Sequence, residues 1–103
     1  MNKEEIYKKA LEKWGLEPQL NMVIEECAEL IQSIQKLRRL PAPEREKQII
    51  GNLAEETADV LIMLEQLNLM FEKDNFKDAV ESKKIQKIKR LEEKVLKELK
   101  SGK

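Results

Sequence analysis

Two segments of this chain, residues 20–34 and residues 50–64, carry the same arrangement of acidic and apolar residues. They read LNMVIEECAELIQSI and IGNLAEETADVLIML, and both repeat apolar residues at the three- and four-residue spacing of an amphipathic helix. Alignment pairs three acidic positions, namely Glu25 with Glu55, Glu26 with Glu56 and Glu29 with Asp59. On a helical wheel the second and third pairs flank the apolar stripe. Two such helices packed antiparallel would bring four carboxylates together across their seam.

The acidic residues of both segments have no basic residue near them in the sequence. Residues 14–35 and 48–72 contain no Lys or Arg, although the chain has 20 of them. Like charges three or four positions apart on a helix repel each other. The missing positive charge is therefore expected from outside the chain, and a metal ion is its simplest source. The alternative is that these are ordinary surface carboxylates of two amphipathic helices.

Composition favours a small all-helical protein. A chain of 103 residues suits one domain, and three Gly and three Pro leave little material for β-turns or a glycine-rich phosphate loop. The formal net charge of zero provides no basic field for nucleic acids. No apolar run approaches the roughly 20 residues that span a bilayer. We therefore expect no nucleic-acid partner and no membrane, and the lone Cys27 fits a reducing cytoplasm.

Helix-breaking residues divide the chain into four predicted helices. Gly15, the Leu-Pro-Ala-Pro run at 40–43 and the Lys-Asp-Asn run at 73–75 separate them. The predicted helices span about 2–14, 18–39, 43–71 and 76–99, with a soft point at Gly51–Asn52. Short connections favour a four-helix bundle with consecutive helices roughly antiparallel. We expect a single domain over 1–103, with its core in 14–91 and a frayed tail at 100–103.

The third predicted helix has apolar residues on more sides than one monomer of this size covers. Those outside its stripe are Ile62, Met63, Leu69 and Met70. We therefore expect a second subunit to cover part of this helix. The alternative is that these residues are simply scattered over an exposed surface.

The donor atoms limit the kind of metal. The chain has no His, which excludes the usual His-containing zinc sites and the Glu-x-x-His di-iron bundles. Carboxylates alone suit the hard cations Mg²⁺, Mn²⁺ and Ca²⁺, and no EF-hand loop is present to favour calcium. Because Mg²⁺ usually binds a few carboxylates together with substrate phosphates, the pattern predicts a phosphorylated ligand.

The acidic motifs resemble a known signature. Glu25-Glu26-Cys27-Ala28-Glu29 followed by Glu56-Thr57-Ala58-Asp59 is similar to the EExxE…ExxD signature of the MazG-type all-α nucleoside triphosphate pyrophosphatases. Residues 30–55 separate the two halves, a spacing within that family's range. Leu30 and the Val-Leu-Ile run at 60–62 match its apolar continuations, and the resemblance covers about residues 14–90.

The resemblance implies a four-helix fold of the all-α NTP pyrophosphatase type and a homodimer or homotetramer. It implies hydrolysis of an ordinary or modified (d)NTP to (d)NMP and pyrophosphate with Mg²⁺, or with Mn²⁺ in its place. Its metal ligands would be Glu26, Glu29, Glu56 and Asp59. Glu25, and Glu55 with it, would lie beside them, and Glu25 would orient ligands or activate water.

Substrate contacts are expected from two places. The last predicted helix has basic residues at and beside its apolar stripe, and Lys83, Lys84 and Lys87 are candidates for the phosphates. Solvated lysines are the alternative. Trp14 precedes the first motif, where members of the family place substrate-contacting residues, and a place in the core is the alternative for it.

Two other functions stay open from the sequence. The first is a helical interaction module whose last helix pairs as a coiled coil through a short apolar stripe. That stripe comprises Ile85, Ile88, Leu91, Val95 and Leu99. The second is a relative that binds metal or nucleotide without turnover, because it would keep the same ligands.

Overall fold

The computed structural model describes residues 1–102, and every regular element in that range is a helix. The α-helices are α1 (Lys3–Trp14), α2 (Leu16–Arg38), α3 (Ala42–Gln48), α4 (Ala54–Met70) and α5 (Phe76–Lys100). A π-helix at Ile49–Leu53 joins α3 to α4, and a 3₁₀ turn occupies Glu72–Asp74. Because the π segment keeps helical backbone angles at both ends, α3 and α4 form one continuous rod. The predicted all-α class with four helices is confirmed for the described residues.

Local chemistry explains where the first two helices begin and end. The Asn2 side chain accepts a hydrogen bond of 2.9 Å from the Glu5 amide and caps α1. Gly15 separates α1 from α2 with a φ of 84°, a conformation that costs glycine little. Helix α2 begins at Leu16, earlier than predicted. Pro18 fits this start because its missing N–H is one that has no acceptor in the first turn.

The soft point predicted at Gly51–Asn52 is a π-helix in the structure. A π turn contains more residues than an α turn, so it changes the rotational phase of the helix that follows it. A wheel started at Ile50 is therefore out of phase with α4, although the positions within α4 keep their relation to one another. The sequence predicted an irregularity here but not its type.

The chain divides into two compact units, Met1–Met70 and the residues from Phe71 onward. In the first unit α2 and α4 pack along their length, and α1 contacts both of them. The side chain of Glu65 on α4 accepts hydrogen bonds from Lys3 at 2.7 Å and from Tyr7 at 2.9 Å. These hydrogen bonds connect α1 to α4. The prediction of one domain over 1–103 stays a prediction.

The second unit contains the 3₁₀ turn and α5. The Phe71 and Phe76 rings lie 5.6 Å apart, and Asn75 between them adopts a left-handed φ of 54° at the start of α5. Helix α5 continues to Lys100, and a turn follows at residues 101–102. Of the tail expected to fray, Lys103 lies outside the described residues. Within residues 1–102 no helix combines the length and apolar character needed to cross a bilayer.

The buried positions differ from those expected. Three side chains are 6% exposed, and they are Gln19, Ser33 and Met63. Met63 was predicted to lie outside the apolar stripe of its helix, where a second subunit would cover it, and that prediction is wrong because Met63 is buried within the single chain. Trp14 is 55% exposed, so its alternative assignment to the core is also wrong.

The apolar stripe of α2 is only partly covered. Val23 and Leu30 are half-buried, whereas Ile24 and Ile31 at its far edge are 66% and 60% exposed. Helix α2 is therefore turned so that its acidic flank, rather than the middle of its apolar stripe, faces α4. The folded chain leaves a row of large apolar side chains in contact with water.

We expect Met63→Ala to lower the free energy of unfolding by about 2–4 kcal/mol, because it removes a buried apolar side chain of α4. Met22→Ala is the matched control, since Met22 is 37% exposed and should cost clearly less. Urea denaturation followed by circular dichroism measures both. Equal losses for the two variants would contradict this description of the core.

Candidate functional site

Three pairs of residues that interact across the seam between α2 and the π segment with α4 define the register of these helices. The interacting pairs are Ser33 with Asn52, Glu29 with Glu56 and Glu26 with Asp59. Along these pairs the residue number decreases in α2 while it increases from the π segment into α4, so the two segments run antiparallel. This register brings the two acidic motifs to the same level of the seam, as their helical phase predicted.

Three of the four predicted metal ligands meet at one point. Glu26, Glu29 and Glu56 each offer a carboxylate oxygen, and these oxygens all lie within 4.8 Å of one another. Glu26 and Glu56 are half-buried, whereas Glu29 is exposed. Asp59 lies outside this group of three, although its charge acts on both Glu26 and Glu56. We call Glu26, Glu29 and Glu56 the acidic triad.

No basic side chain of the described residues neutralises the acidic triad. Within residues 1–102 the ion pairs are Lys3 with Glu65 at 2.7 Å and Lys84 with Glu81 at 3.8 Å. Neither pair includes a residue of the two acidic motifs. Within the first unit, residues 1–70, the gap in basic residues along the sequence is thus matched by the absence of an ion pair to either acidic motif.

Two carboxylate oxygens of the triad are buried without a partner. Oε2 of Glu26 and Oε2 of Glu56 are shielded from solvent and accept no hydrogen bond from any described residue. Buried polar atoms in proteins almost always have a partner, because an unpaired one loses its hydration without compensation. These two oxygens are the atoms of the seam that most need a donor or a cation.

The same surroundings raise the pKa of both glutamates. For Glu26 the largest cause is loss of hydration on burial, followed by the negative charges of Glu29 and Asp59. For Glu56 burial again comes first, followed by the negative charge of Glu29. A raised carboxyl pKa means that the fold disfavours the ionised form. A divalent cation would reverse this preference.

The donor set fits a hard divalent cation. All three groups of the triad are carboxylates, the ligands that Mg²⁺ and Mn²⁺ prefer, and two of them hold an oxygen with no other partner. Exposed acidic groups also occur without any metal, so the triad alone identifies no ion. The buried oxygens of Glu26 and Glu56 that have no hydrogen-bond partner provide the second reason to expect a cation.

The remaining predicted residues are not part of the triad. Glu25 and Glu55 are exposed, next in sequence to triad members on α2 and α4. Trp14 is exposed at the end of α1, with the Lys13 ammonium 5.6 Å from its ring centroid. Lys83, Lys84 and Lys87 are exposed on α5, in the second unit, where Lys84 pairs with Glu81. Their part in a substrate site stays a prediction.

Sequence reasoning missed the polar neighbours of the triad. Ser33 Oγ donates a hydrogen bond of 2.7 Å to Asn52 Oδ1, and Ser33 is buried. Ser33 follows Glu29 by four residues and Asn52 precedes Glu56 by four, so each lies one helical turn from the triad on the same helix face. That spacing was a usable signal. Gln19 on α2 is the other buried polar residue of the described chain, and it is also 6% exposed.

Comparison of the chain with protein-family models, with curated proteins and with solved structures found no significant match. The similarity to the MazG-type signature therefore rests on the motif residues themselves.

The raised pKa values predict how the metal-free protein responds to pH. Above the ordinary carboxyl pKa of 4.5, folded Glu26 and Glu56 bind more protons than they do in the unfolded chain. Stability therefore falls as the pH rises through the raised pKa values. We expect Glu56→Gln to raise the thermal midpoint at pH 7 in EDTA and to flatten this dependence.

Thermal unfolding at a series of pH values measures the effect. Glu17→Gln is the matched control, because Glu17 is an exposed carboxylate of α2 outside the triad and should leave the pH dependence unchanged. A lower midpoint for Glu56→Gln at pH 7 in EDTA would show that the triad does not repel itself.

Proposed function

We propose that this protein is a Mg²⁺-dependent nucleoside triphosphate pyrophosphohydrolase of the MazG type. The observation that supports this most is the pair of buried, unpartnered carboxylate oxygens on Glu26 and Glu56. They belong to the two halves of the EExxE…ExxD pattern and lie in one acidic triad. A hydrolase of phosphate anhydrides needs such a site, because divalent cations neutralise phosphate oxygens that carboxylates alone would repel.

The proposed ligands are the acidic triad and Asp59. Bound Mg²⁺, or Mn²⁺ in its place, would supply charge neutralisation for the triphosphate and a Lewis acid at its oxygens. In the triad, Glu26 and Glu56 provide half-buried oxygens and Glu29 an exposed one. The cluster therefore has one side open to solvent, from which a phosphorylated ligand has access. Asp59 would join it from the next turn of α4.

Glu25 is proposed as the catalytic carboxylate. It is exposed and next to Glu26, so it remains available to accept a proton from an attacking water. In the proposed reaction the water oxygen bonds to the α-phosphorus. The bond from the α-phosphorus to the bridging oxygen breaks, and this oxygen leaves as part of pyrophosphate. Pyrophosphate leaves and (d)NMP remains. The products follow from the position of attack and require no further reactant.

Substrate binding is assigned to residues that the triad does not contain. Lys83, Lys84 and Lys87 are proposed to contact phosphate oxygens, and Trp14 to contact the base or sugar. The exposed Trp14 ring is available for stacking, which supports its assignment. The preferred base and sugar are open, and a cytoplasmic location is part of the proposal.

The protein is proposed to act as a homodimer or homotetramer. Ile24 and Ile31 lie seven residues apart on one face of α2 and are 66% and 60% exposed, and an exposed apolar surface of this kind usually marks an interface. An oligomer of the four-helix pyrophosphatase type would bury these residues against a second copy. This also accounts for the small number of buried side chains in the single chain.

A helical interaction module is the second candidate function. The stripe of α5 is supported as a partner-binding face by its exposure, since Ile85, Ile88 and Leu91 are 68%, 59% and 59% exposed. The acidic triad is compatible with an interaction module, but it would have no role in one. A silent relative that binds metal or nucleotide without turnover is the third candidate.

We expect the purified protein with Mg²⁺ to release pyrophosphate from at least one member of a panel of NTPs and dNTPs. Glu56→Gln and Asp59→Asn should each lower the rate by about 100-fold or more, because even partners of metal ligands commonly matter by 10–100-fold. A coupled pyrophosphate assay measures the rates, and Glu17→Gln is the control that removes a carboxylate elsewhere on α2.

The possible failures of this experiment have different meanings. Variants that bind Mg²⁺ normally and keep their activity would show that the ligands are assigned wrongly. Metal binding without pyrophosphate release from any nucleotide would favour the silent relative. Absence of both would leave the interaction module.

We expect light scattering to give a mass of at least twice the 12.1 kDa of one chain. Ile31→Glu should shift the protein toward monomer, since it places a charge in the exposed apolar surface of α2. Gln32→Glu adds the same charge at the neighbouring exposed position and should leave the mass unchanged. A monomer for the unmodified chain at all concentrations would contradict the proposed oligomer.

A further inference from the structure

A buried hydrogen bond joins α2 to the π segment next to the acidic triad. Ser33 is 6% exposed, and its hydroxyl donates to the amide oxygen of Asn52 at 2.7 Å. Asn52 is half-buried and lies within the π-helix Ile49–Leu53. The bond therefore connects a regular helix to the one irregular segment of the α3–α4 rod.

The bond lies one helical turn from the triad on both helices. Ser33 is four residues after Glu29, and Asn52 is four residues before Glu56, so about 6 Å along each helix axis separates the bond from the triad. In α2 residues four apart share a helix face. Asn52 and Glu56 both interact with that face, through Ser33 and Glu29 respectively. The Ser33–Asn52 pair and the Glu29–Glu56 pair are consequently successive levels of the same seam.

The Ser33–Asn52 hydrogen bond matters for the triad because the π segment sets the rotation of α4 about its axis. Each residue of an α-helix turns the chain by about 100°, so gaining or losing one residue in the π turn would rotate α4 by that amount relative to α3. Such a rotation would carry Glu56 away from Glu26 and Glu29. Gly51 within the segment does little to prevent it, because glycine has no side chain to pack. Asn52 is the residue of the segment with a side-chain hydrogen bond to α2.

We propose that Ser33 and Asn52 are positioning residues that fix the phase of α4, so that Glu56 faces Glu26 and Glu29 in the geometry that binds a divalent cation. The proposal rests on the function proposed above, because it assumes that the triad binds a metal. It goes further by assigning a role to a polar pair outside the acidic motifs. Neither residue contacts the cation or the substrate in this scheme.

The test measures binding of Mn²⁺ alone, from the loss of the free-ion electron paramagnetic resonance signal. Ser33→Ala and Asn52→Ala are each expected to weaken Mn²⁺ binding about tenfold. The double variant should bind no more weakly than either single one, because both substitutions break the same bond. Ser33→Thr keeps the hydroxyl and should restore affinity. Ser82→Ala on α5 is the matched serine control and should bind as the unmodified chain does.

Circular dichroism at the assay temperature separates positioning from folding. The proposal requires weaker binding in variants that keep their helix content at the assay temperature. Variants that unfold at the assay temperature would show that the bond serves stability instead, and would overturn the proposal.

The outcomes also separate this proposal from the function on which it rests. If the unmodified chain binds Mn²⁺ and all variants bind it equally well, the positioning role is wrong and the metal site stands. If the losses of the two single variants multiply in the double variant, the residues do not act as a pair. If the unmodified chain binds no Mn²⁺, the metal site is wrong and the positioning role falls with it.

Discussion

Mutual repulsion among three closely spaced carboxylates, two of them half-buried, is the constraint on which the rest of this structure depends. Glu26, Glu29 and Glu56 bring oxygens within 4.8 Å of one another at a seam where no described basic residue reaches them. Burial and the neighbouring charges both act in the same direction and raise the pKa of Glu26 and Glu56. A fold selected only for stability would place a lysine here or face these residues toward solvent. The proposed divalent cation would supply the positive charge that this arrangement lacks.

The polar seam also explains where the apolar residues of the chain lie. Helix α2 presents its acidic flank and the near edge of its apolar stripe to α4, so the far edge at Ile24 and Ile31 faces outward. Since hydrophobic burial is the main favourable contribution to folding, a chain with so few buried side chains gains little from it as a monomer. The proposed site and the proposed oligomer would thus both follow from the choice of the α2 face that packs against α4. The two would be expected to arise together in any small helical protein that devotes its internal seam to carboxylates.

Helical periodicity and charge were enough to predict the all-α fold, the boundaries near Gly15 and Pro41, and the convergence of Glu26, Glu29 and Glu56. These features depend on local sequence and on the phase of one helix. Met63 was placed wrongly, and so was Trp14 in its alternative assignment to the core, because burial depends on which helix faces pair and a single helix does not contain that information. The π-helix was recognised only as a weak point, since Gly51 and Asn52 indicate an irregularity without specifying an inserted residue. Ser33 was missed because a buried serine on a helix resembles any other small polar residue until its partner is known.

Helix α4 is held by polar contacts at both ends, and the triad lies between them. At its N-terminal side Asn52 bonds to Ser33 of α2, and toward its C-terminal end Glu65 accepts bonds from Lys3 and Tyr7 of α1. Both contacts are made within the single chain, and neither involves the apolar residues that remain exposed. Because they flank the carboxylates, they can hold Glu56 and Asp59 in register against repulsion while no cation is bound. A site assembled in this way would exist before its ligand arrives, and binding would then relieve repulsion without having to order the helices.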